Sequence, residues 1–285
     1  MTLILCATCE SIPSLTEDDQ ALIGPLAARG IEARAAEWSD PGVPWHKADA
    51  VVIRSCWDYH LRLEEFLGWI TSLETLGVQV WNPPAMLRGN ADKIYLRELE
   101  RKDIPIVPTL WPESGFQLQQ ELHKRGWKKA VVKPRVSATA HRTLLTTAEQ
   151  AEGAQELVDD LLRGPGAMVQ EFLEEVSTRG EWSLIFFAGR FSHAVIKTPK
   201  SGDFRVQHDF GGSESIAEAP DSLIQAATQV VAAVESTPLY ARVDGVESGG
   251  QFLLMELELI EPALFLKPAE GAAERFADAI KSHCL

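Results

Sequence analysis

The segment YARVDGVESGGQFLLMELELIEP, residues 240–262, limits the fold of this chain more than any other. Two apolar runs flank a glycine-containing turn, which predicts a β-hairpin. On a strand, side chains two apart share a face, so Glu256 and Glu258 point together while Leu257 and Leu259 point the other way. A loop of three or five residues brings Asp244 of the partner strand onto that face, with Arg242 two residues before it. Ionised carboxylates set among apolar residues are costly unless something pairs with them. Oxygen ligands without histidine or cysteine favour Mg²⁺ or Mn²⁺ over zinc, and magnesium fills much of its shell with water and phosphate. The spacing alone leaves two readings open, a metal site or a solvated face decorated with glutamates. Glu261 is out of phase with the pair and either caps the strand end or faces a substrate.

Upstream, the chain changes style once. Its first part alternates strand and helix signals: TLILCA, then TEDDQALIGPLAARG with acidic residues at its start and Gly30 at its end, then IEARAAEW and DAVVIRSCW as strands. LRLEEFLGWITSLETLG has helical spacing and stops at Gly77, and VQVWNPP closes the series. This order predicts a small parallel sheet covered by helices. After NPPAMLRGN come a helix in ADKIYLRELERKD, the extended IPIVPTLW, the strand KKAVVKP, a small-residue loop RVSATAHRT, and a helix near AEQAEGAQELVDDLL. From Glu181 onward strands dominate, with helices at SLIQAATQVVAAVEST and AAERFADAIKSH. The second part is therefore α+β with hairpins.

At 285 residues and a formal net charge of −14, the chain can bury a large core but offers no positive footprint to nucleic acid or an anionic membrane. No apolar run approaches a membrane span, and MTLILCATCES reads as a first strand. The cytoplasm is the expected compartment. Four scattered cysteines do not make a disulfide scaffold, and CATC, with no second pair, reads as structural cysteines at a strand end.

A metal site of this kind predicts phosphate-binding groups elsewhere. Neither a P-loop nor a G-x-G-x-x-G after a strand is present, and H-R-D and D-F-G are missing. What the sequence offers are lysines beside apolar strands. Lys133 ends AVVKP as either a snorkelling edge residue or a phosphate ligand. Ser137, Ala138, Thr139 and Ala140 follow it and would let backbone amides approach phosphate. Lys93 opens the helix after RGNAD. The polar run KTPKSGDFRVQHDFGGS reads as an anion-binding loop or as plain surface.

Taken in order, NPPAMLRGNADK, IPIVPT, AVVKP, QEFL and YARVDGV…LMELELIEP resemble the ATP-grasp superfamily over roughly Gly77 to Leu266. The resemblance is to its glutathione synthetase and ribosomal-protein glutamate ligase type, and especially to cycloserine-forming ATP-grasp ligases. It implies two α+β lobes gripping ATP behind a small α/β domain, with boundaries at 1–88, 89–168 and 169–285. By the same resemblance Lys93 and Lys133 contact phosphates, and Gln170, Glu171, Phe172 and Leu173 form the hinge that reads adenine. Glu181 meets the ribose, and Arg205 stabilises the transferring phosphate alongside Lys133. Asp244, Glu256 and Glu258 hold Mg²⁺, or Mn²⁺ in its place.

The chain departs from the pattern where relatives carry asparagine and it carries Glu258, where their loop has glycines and RVSATAHRT has none, and at Ser183, which replaces a basic residue. The activity implied is a carboxylate–amine ligation or cyclisation on a small amino-acid-like substrate, through an acyl-phosphate. The rival reading is a protein that binds ATP to regulate or sense without turnover. No general base is assigned; His193 and His208 stand near the loop in sequence. The resemblance leaves room for a homodimer. In the first domain, RSCWDYH lies at the carboxyl end of a strand, where open α/β sheets bind ligands. There Arg54 either pairs with a substrate carboxylate while Asp58 takes an amine, or the two residues fix the loop, with Trp57 and Tyr59 as walls or packing.

Overall fold

The structure, a computed structural model, describes residues 2–200, 205 and 211–284. Its first sheet is parallel and holds β1 (Thr2–Thr8), β2 (Ile31–Glu37), β3 (Ala50–Ser55) and β4 (Gln79–Trp81) in the order β2-β1-β3-β4. The helix Leu63–Thr75 buries Phe66, Trp69, Ile70 and Leu73, the i, i+3, i+4, i+7 stripe of an amphipathic helix. Gly77 follows in the left-handed region, at φ 70°. The segment expected to form one helix before Gly30 forms two, Glu17–Gln20 and Ile23–Ala28. Pro25 is the reason: it has no N–H for the carbonyl of Ala21, and its ring would strike that carbonyl in a continuous helix.

The second sheet is antiparallel, with β5 (Thr109–Leu110), β6 (Lys129–Pro134), β7 (Leu144–Thr147) and β8 (Ala167–Glu171) ordered β5-β8-β6-β7. Most of IPIVPTLW stays outside this sheet, because Pro105 and Pro108 cannot donate to a ladder. It runs instead beside the third sheet, where Val107 donates to the Leu254 carbonyl and Leu254 donates to the Pro105 carbonyl, each at 2.9 Å. Lys93 does not open a helix. It sits in a turn between helices Pro84–Asn90 and Tyr95–Arg101.

The third sheet holds β9 (Glu181–Phe187), β10 (Arg190–Thr198), β11 (Ser213–Ala217), β12 (Tyr240–Ser248) and β13 (Gln251–Glu258), ordered β11-β10-β9-β12-β13 and antiparallel throughout. Its hairpin closes on a two-residue turn, Gly249–Gly250, both with positive φ. A two-residue turn with regular pairing would set Asp244 opposite Met255 and put Glu256 on the wrong face. A bulge between Asp244 and Gly245 shifts the register by one, so that Asp244 faces Glu256 and Arg242 faces Glu258. The expected face therefore forms, by a bulge in place of a longer loop. Gly245 is required there: a Cβ would lie 2.4 Å from the Phe252 ring and 2.6 Å from the Leu253 carbonyl oxygen.

One apolar core joins the first sheet to the third. Ile4, Leu22 and Val52 pack with Ile185, Phe187 and Phe276, the last from the C-terminal helix Ala272–Cys284. Asn82, fully buried beyond β4, donates to the carbonyls of Tyr240 and Leu259 and accepts from the Leu239 amide, all within 2.7–2.9 Å. Cys6, Cys9 and Cys56 are buried and unbridged. Among the described residues no helix is long and apolar enough to cross a membrane.

Candidate active site

A cavity of about 280 Å³ opens where the second and third sheets meet the end of the first. Lys93, Lys133, the stretch Gln170–Leu173, Glu181, Arg205 and the hairpin carboxylates all line it. The second sheet supplies Lys133 from β6 and Gln170 and Glu171 from β8. Gln170 is buried and donates to the Thr109 hydroxyl at 3.2 Å, which fixes the end of β8. Lys93 is tied to the loop after β6: its amide donates to the Arg135 carbonyl at 3.0 Å and its ammonium to the Ser137 carbonyl at 2.6 Å. That loop contains no glycine, yet Thr139, Ala140 and Arg142 adopt φ values of 50°, 53° and 55°, the left-handed region that glycine normally occupies. A threonine, an alanine and an arginine thus take a backbone conformation that glycine adopts most readily.

The hairpin face is an ion-pair lattice. Ser183, opposite Asp244 on β9, donates to it at 2.5 Å, and Arg242 grips it with Nε and Nη2 at 3.0–3.1 Å. Arg242 also pairs with Glu258, Lys93 with Glu256 at 3.0 Å, and Lys197 with Glu181 at 2.5 Å and Asp244 at 3.3 Å. Burial opposes ionisation of Asp244, but Arg242 and Lys197 outweigh it and hold the carboxyl at about 2. Glu256 is likewise lowered against burial by Lys93 and Lys133. Glu258 is pushed up to about 7 by burial, with Arg242 opposing and Asp244 adding to the rise. Lys133 makes no ion pair among the described residues, and burial lowers its pKa. Lys133 therefore lines the cavity with its ammonium in no ion pair to a described residue.

Among the described residues, no three His, Cys, Asp or Glu side chains are grouped to hold a metal by themselves. The donors are nonetheless all oxygen, and two face each other across the hairpin. That set suits a hard divalent ion completed by phosphate and water, and not an all-protein cage.

Residues 4–82 match the model of the D-cycloserine synthetase DcsG N-terminal domain. Cycloserine biosynthesis protein DcsG of Streptomyces lavendulae is 30% identical over 294 residues, covering 98% of this chain and 97% of its own. This chain belongs to the DcsG family of ATP-grasp ligases. The crystal structure of D-cycloserine synthetase DcsG superposes with a TM-score of 0.90 at 28% identity, covering 99% of this chain and all of that one. D-alanine–D-alanine ligase from Bacillus anthracis shares the fold, with a TM-score of 0.72 at 17% identity over 100% of this chain and 97% of its own. The family consists of ATP-dependent carboxylate–amine ligases.

Within this ATP-grasp frame several expected residues stand elsewhere. Arg54 does not line the cavity. It is 1% exposed, pairs with Asp19 at 2.8 Å and donates to the Pro262 carbonyl at 2.7 Å, so no substrate carboxylate reaches it. Asp58 is turned away as well, accepting from Trp38 Nε1 at 2.8 Å and pairing with Arg62. The arginine–aspartate pair that fixes the loop therefore exists, but Asp19 is the partner. His193 lies outside the cavity with Nε2 2.9 Å from the Leu264 carbonyl oxygen, and burial lowers its pKa to about 4. His208 lies outside the described residues, as does most of the GDFRVQ segment, of which Arg205 is described. Glu261, Trp57 and Tyr59 all line the cavity.

Lys197 is a residue that sequence reasoning did not single out. Its signal resembles that of Lys133, one lysine at the end of an apolar strand, HAVIKT beside AVVKP, but the polar run after it drew the eye to the loop.

Proposed function

We propose that this chain is an ATP- and Mg²⁺-dependent ligase that activates the carboxylate of a small amino acid and closes a ring on a nitrogen of the same molecule, the reaction class named by its relative DcsG. What supports the reading is one cavity in which Lys93, Lys133, Lys197 and Arg242 meet Asp244, Glu256 and Glu258. Lys133, with Arg205, is assigned to the γ-phosphate in transfer, and Lys93 to the phosphates beside it. Gln170–Leu173 take the adenine and Glu181 the ribose. Asp244, Glu256 and Glu258 are the candidate ligands of a divalent ion, which when bound neutralises phosphate charge and aligns transfer. Lys93 and Lys197 then exchange partners, holding carboxylates in the free protein and phosphate in the loaded one. The boundaries at 1–88, 89–168 and 169–285 belong to this reading; the first sheet lies within 1–88 and the third within 169–285, while β8 of the second sheet crosses from the second segment into the last.

In this reading a substrate carboxylate oxygen attacks the γ-phosphorus of ATP, and the bond to the bridging oxygen breaks to release ADP. The nitrogen then attacks the acyl carbon, forming a C–N bond as the C–O bond to phosphate breaks. The proton on nitrogen leaves with the products. The protein supplies placement and fixed charge, with no covalent nucleophile of its own.

The test is ADP release over a panel of amino acids with mass spectrometry of the products. A ring-closed product keeps one substrate's mass less its leaving atoms, while a ligated product sums two. Glu256→Gln should abolish divalent-metal-dependent turnover and leave the melting transition in place. Tight ATP binding with no substrate-dependent ADP would favour the sensor reading.

A further inference from the structure

The cavity's carboxylates are not all alike. Asp244, Glu256, Glu258 and Glu181 each hold a cation on the protein. Glu261 holds none: it is 9% exposed, lines the cavity, and its carboxylate accepts no hydrogen bond and joins no ion pair among the described residues. A buried carboxylate left in that state is costly, and a ligand that supplies positive charge and donors removes the cost.

The backbone carrying Glu261 is held from three sides. Tyr240 donates its hydroxyl to the Ile260 carbonyl at 2.8 Å, Trp57 Nε1 donates to the Glu261 carbonyl at 3.1 Å, and Arg54 donates to the Pro262 carbonyl at 2.7 Å. Three consecutive carbonyls are thus gripped by three different side chains, and Arg54 is itself locked by Asp19. Such a clamp fixes the start of the Glu261 side chain. Trp57 and Tyr59 line the same cavity, and the Tyr59 hydroxyl has no hydrogen-bond partner among the described residues.

We infer that Glu261, in the cavity that Trp57 and Tyr59 also line, anchors an ammonium group of the substrate, one that is held and does not react. This deepens the ligase reading above and rests on it. A single carboxylate beside aromatic walls is a poor site for a hard dication, which needs a full shell of oxygen donors. It suits an ammonium, which takes one charge-assisted hydrogen bond and lies well against ring faces. Burial, with Glu258 adding to it, pushes the Glu261 carboxyl up to about 8, as expected of an acid whose counterion arrives with the ligand. Glu261 is therefore assigned as a specificity residue, one that distinguishes a ring carrying this amine from the same ring without it.

The experiment titrates protein loaded with MgADP with D-cycloserine and with isoxazolidin-3-one, the same ring lacking the amine. Wild type should bind D-cycloserine about 30-fold more tightly, and Glu261→Gln should bring the two within about threefold while leaving ADP affinity unchanged. Equal affinity of wild type for the two rings, or full discrimination retained in Glu261→Gln, would overturn the anchor and leave the ligase reading standing. A variant that binds both rings as wild type does yet loses turnover would make the carboxylate a proton acceptor and also overturn it. If neither ring binds loaded wild type, the ring-forming reading falls, and the anchor falls with it.

Discussion

Glu261 and His193 titrate in opposite senses, and the sequence shows neither. The Glu261 carboxyl is raised from 4.5 to about 8, so the fold retains its proton. Its contribution to stability is complete below the unfolded value and is lost as pH rises through about 8. The His193 imidazole is lowered from 6.5 to about 4, so its contribution is complete above the unfolded value and is lost as pH falls towards 4. Thermal melts should therefore show Glu261→Gln losing less stability than wild type between weakly acidic and weakly alkaline buffer. An unchanged pH slope would mean that the wild-type carboxyl is not buried as described. Lys133, which forms no ion pair among the described residues, carries the nucleotide prediction. Lys133→Met should weaken ATP binding by ~2–3 kcal/mol, roughly 30- to 150-fold in Kd, read by calorimetry. At this scale Lys133, Glu256 and Glu258 are legible because charge interrupts apolar runs, Asp244 through the hairpin pairing, and Lys93 only through the resemblance of the motifs in order. Arg54 misled, because an arginine at a strand's carboxyl end looks the same whether it faces a ligand or, as here, Asp19.

Among elements, the β12–β13 hairpin decides the site. Its strands were legible from alternation, but its register was not, since a turn of two glycines gives the wrong pairing and only the bulge corrects it. Gly245 marks that bulge. Gly245→Ala forces a Cβ to within 2.4 Å of the Phe252 ring, so it should cost ~2–4 kcal/mol in denaturant unfolding and lower turnover with it. Full stability in that variant would show that the bulge can relax. Short edge strands escaped prediction for a physical reason. β11 is exposed along nearly its whole length, so no buried face imposes an apolar alternation on it. The first helix was overextended because its acidic start and glycine end are sound signals, and Pro25 outweighs both.

Across the whole molecule, the first sheet and the third share a core, and this is the part least visible in sequence. The strand–helix alternation and the later hairpins give the class of each sheet. Nothing in either pattern says that Phe276 from the last helix packs beside Ile4 and Phe187, or that Asn82 bonds three backbone groups across 157–177 positions of chain. Asn82→Ala leaves those groups buried without partners, at about 1–3 kcal/mol for each group unsatisfied, and should lower the melting transition clearly. Because the same junction carries the clamp on Glu261, that variant should also weaken substrate binding more than ATP binding. The arrangement as a whole is that of an enzyme that makes a carboxylate reactive by transferring phosphate to it, and oxygen tracing tests this most directly. The amino acid that drives ADP release is prepared with ¹⁸O in its carboxylate and turned over with unlabelled ATP. Acyl-phosphate chemistry carries one carboxylate oxygen into the released phosphate, so the phosphate should contain one ¹⁸O per turnover. Unlabelled phosphate would contradict it.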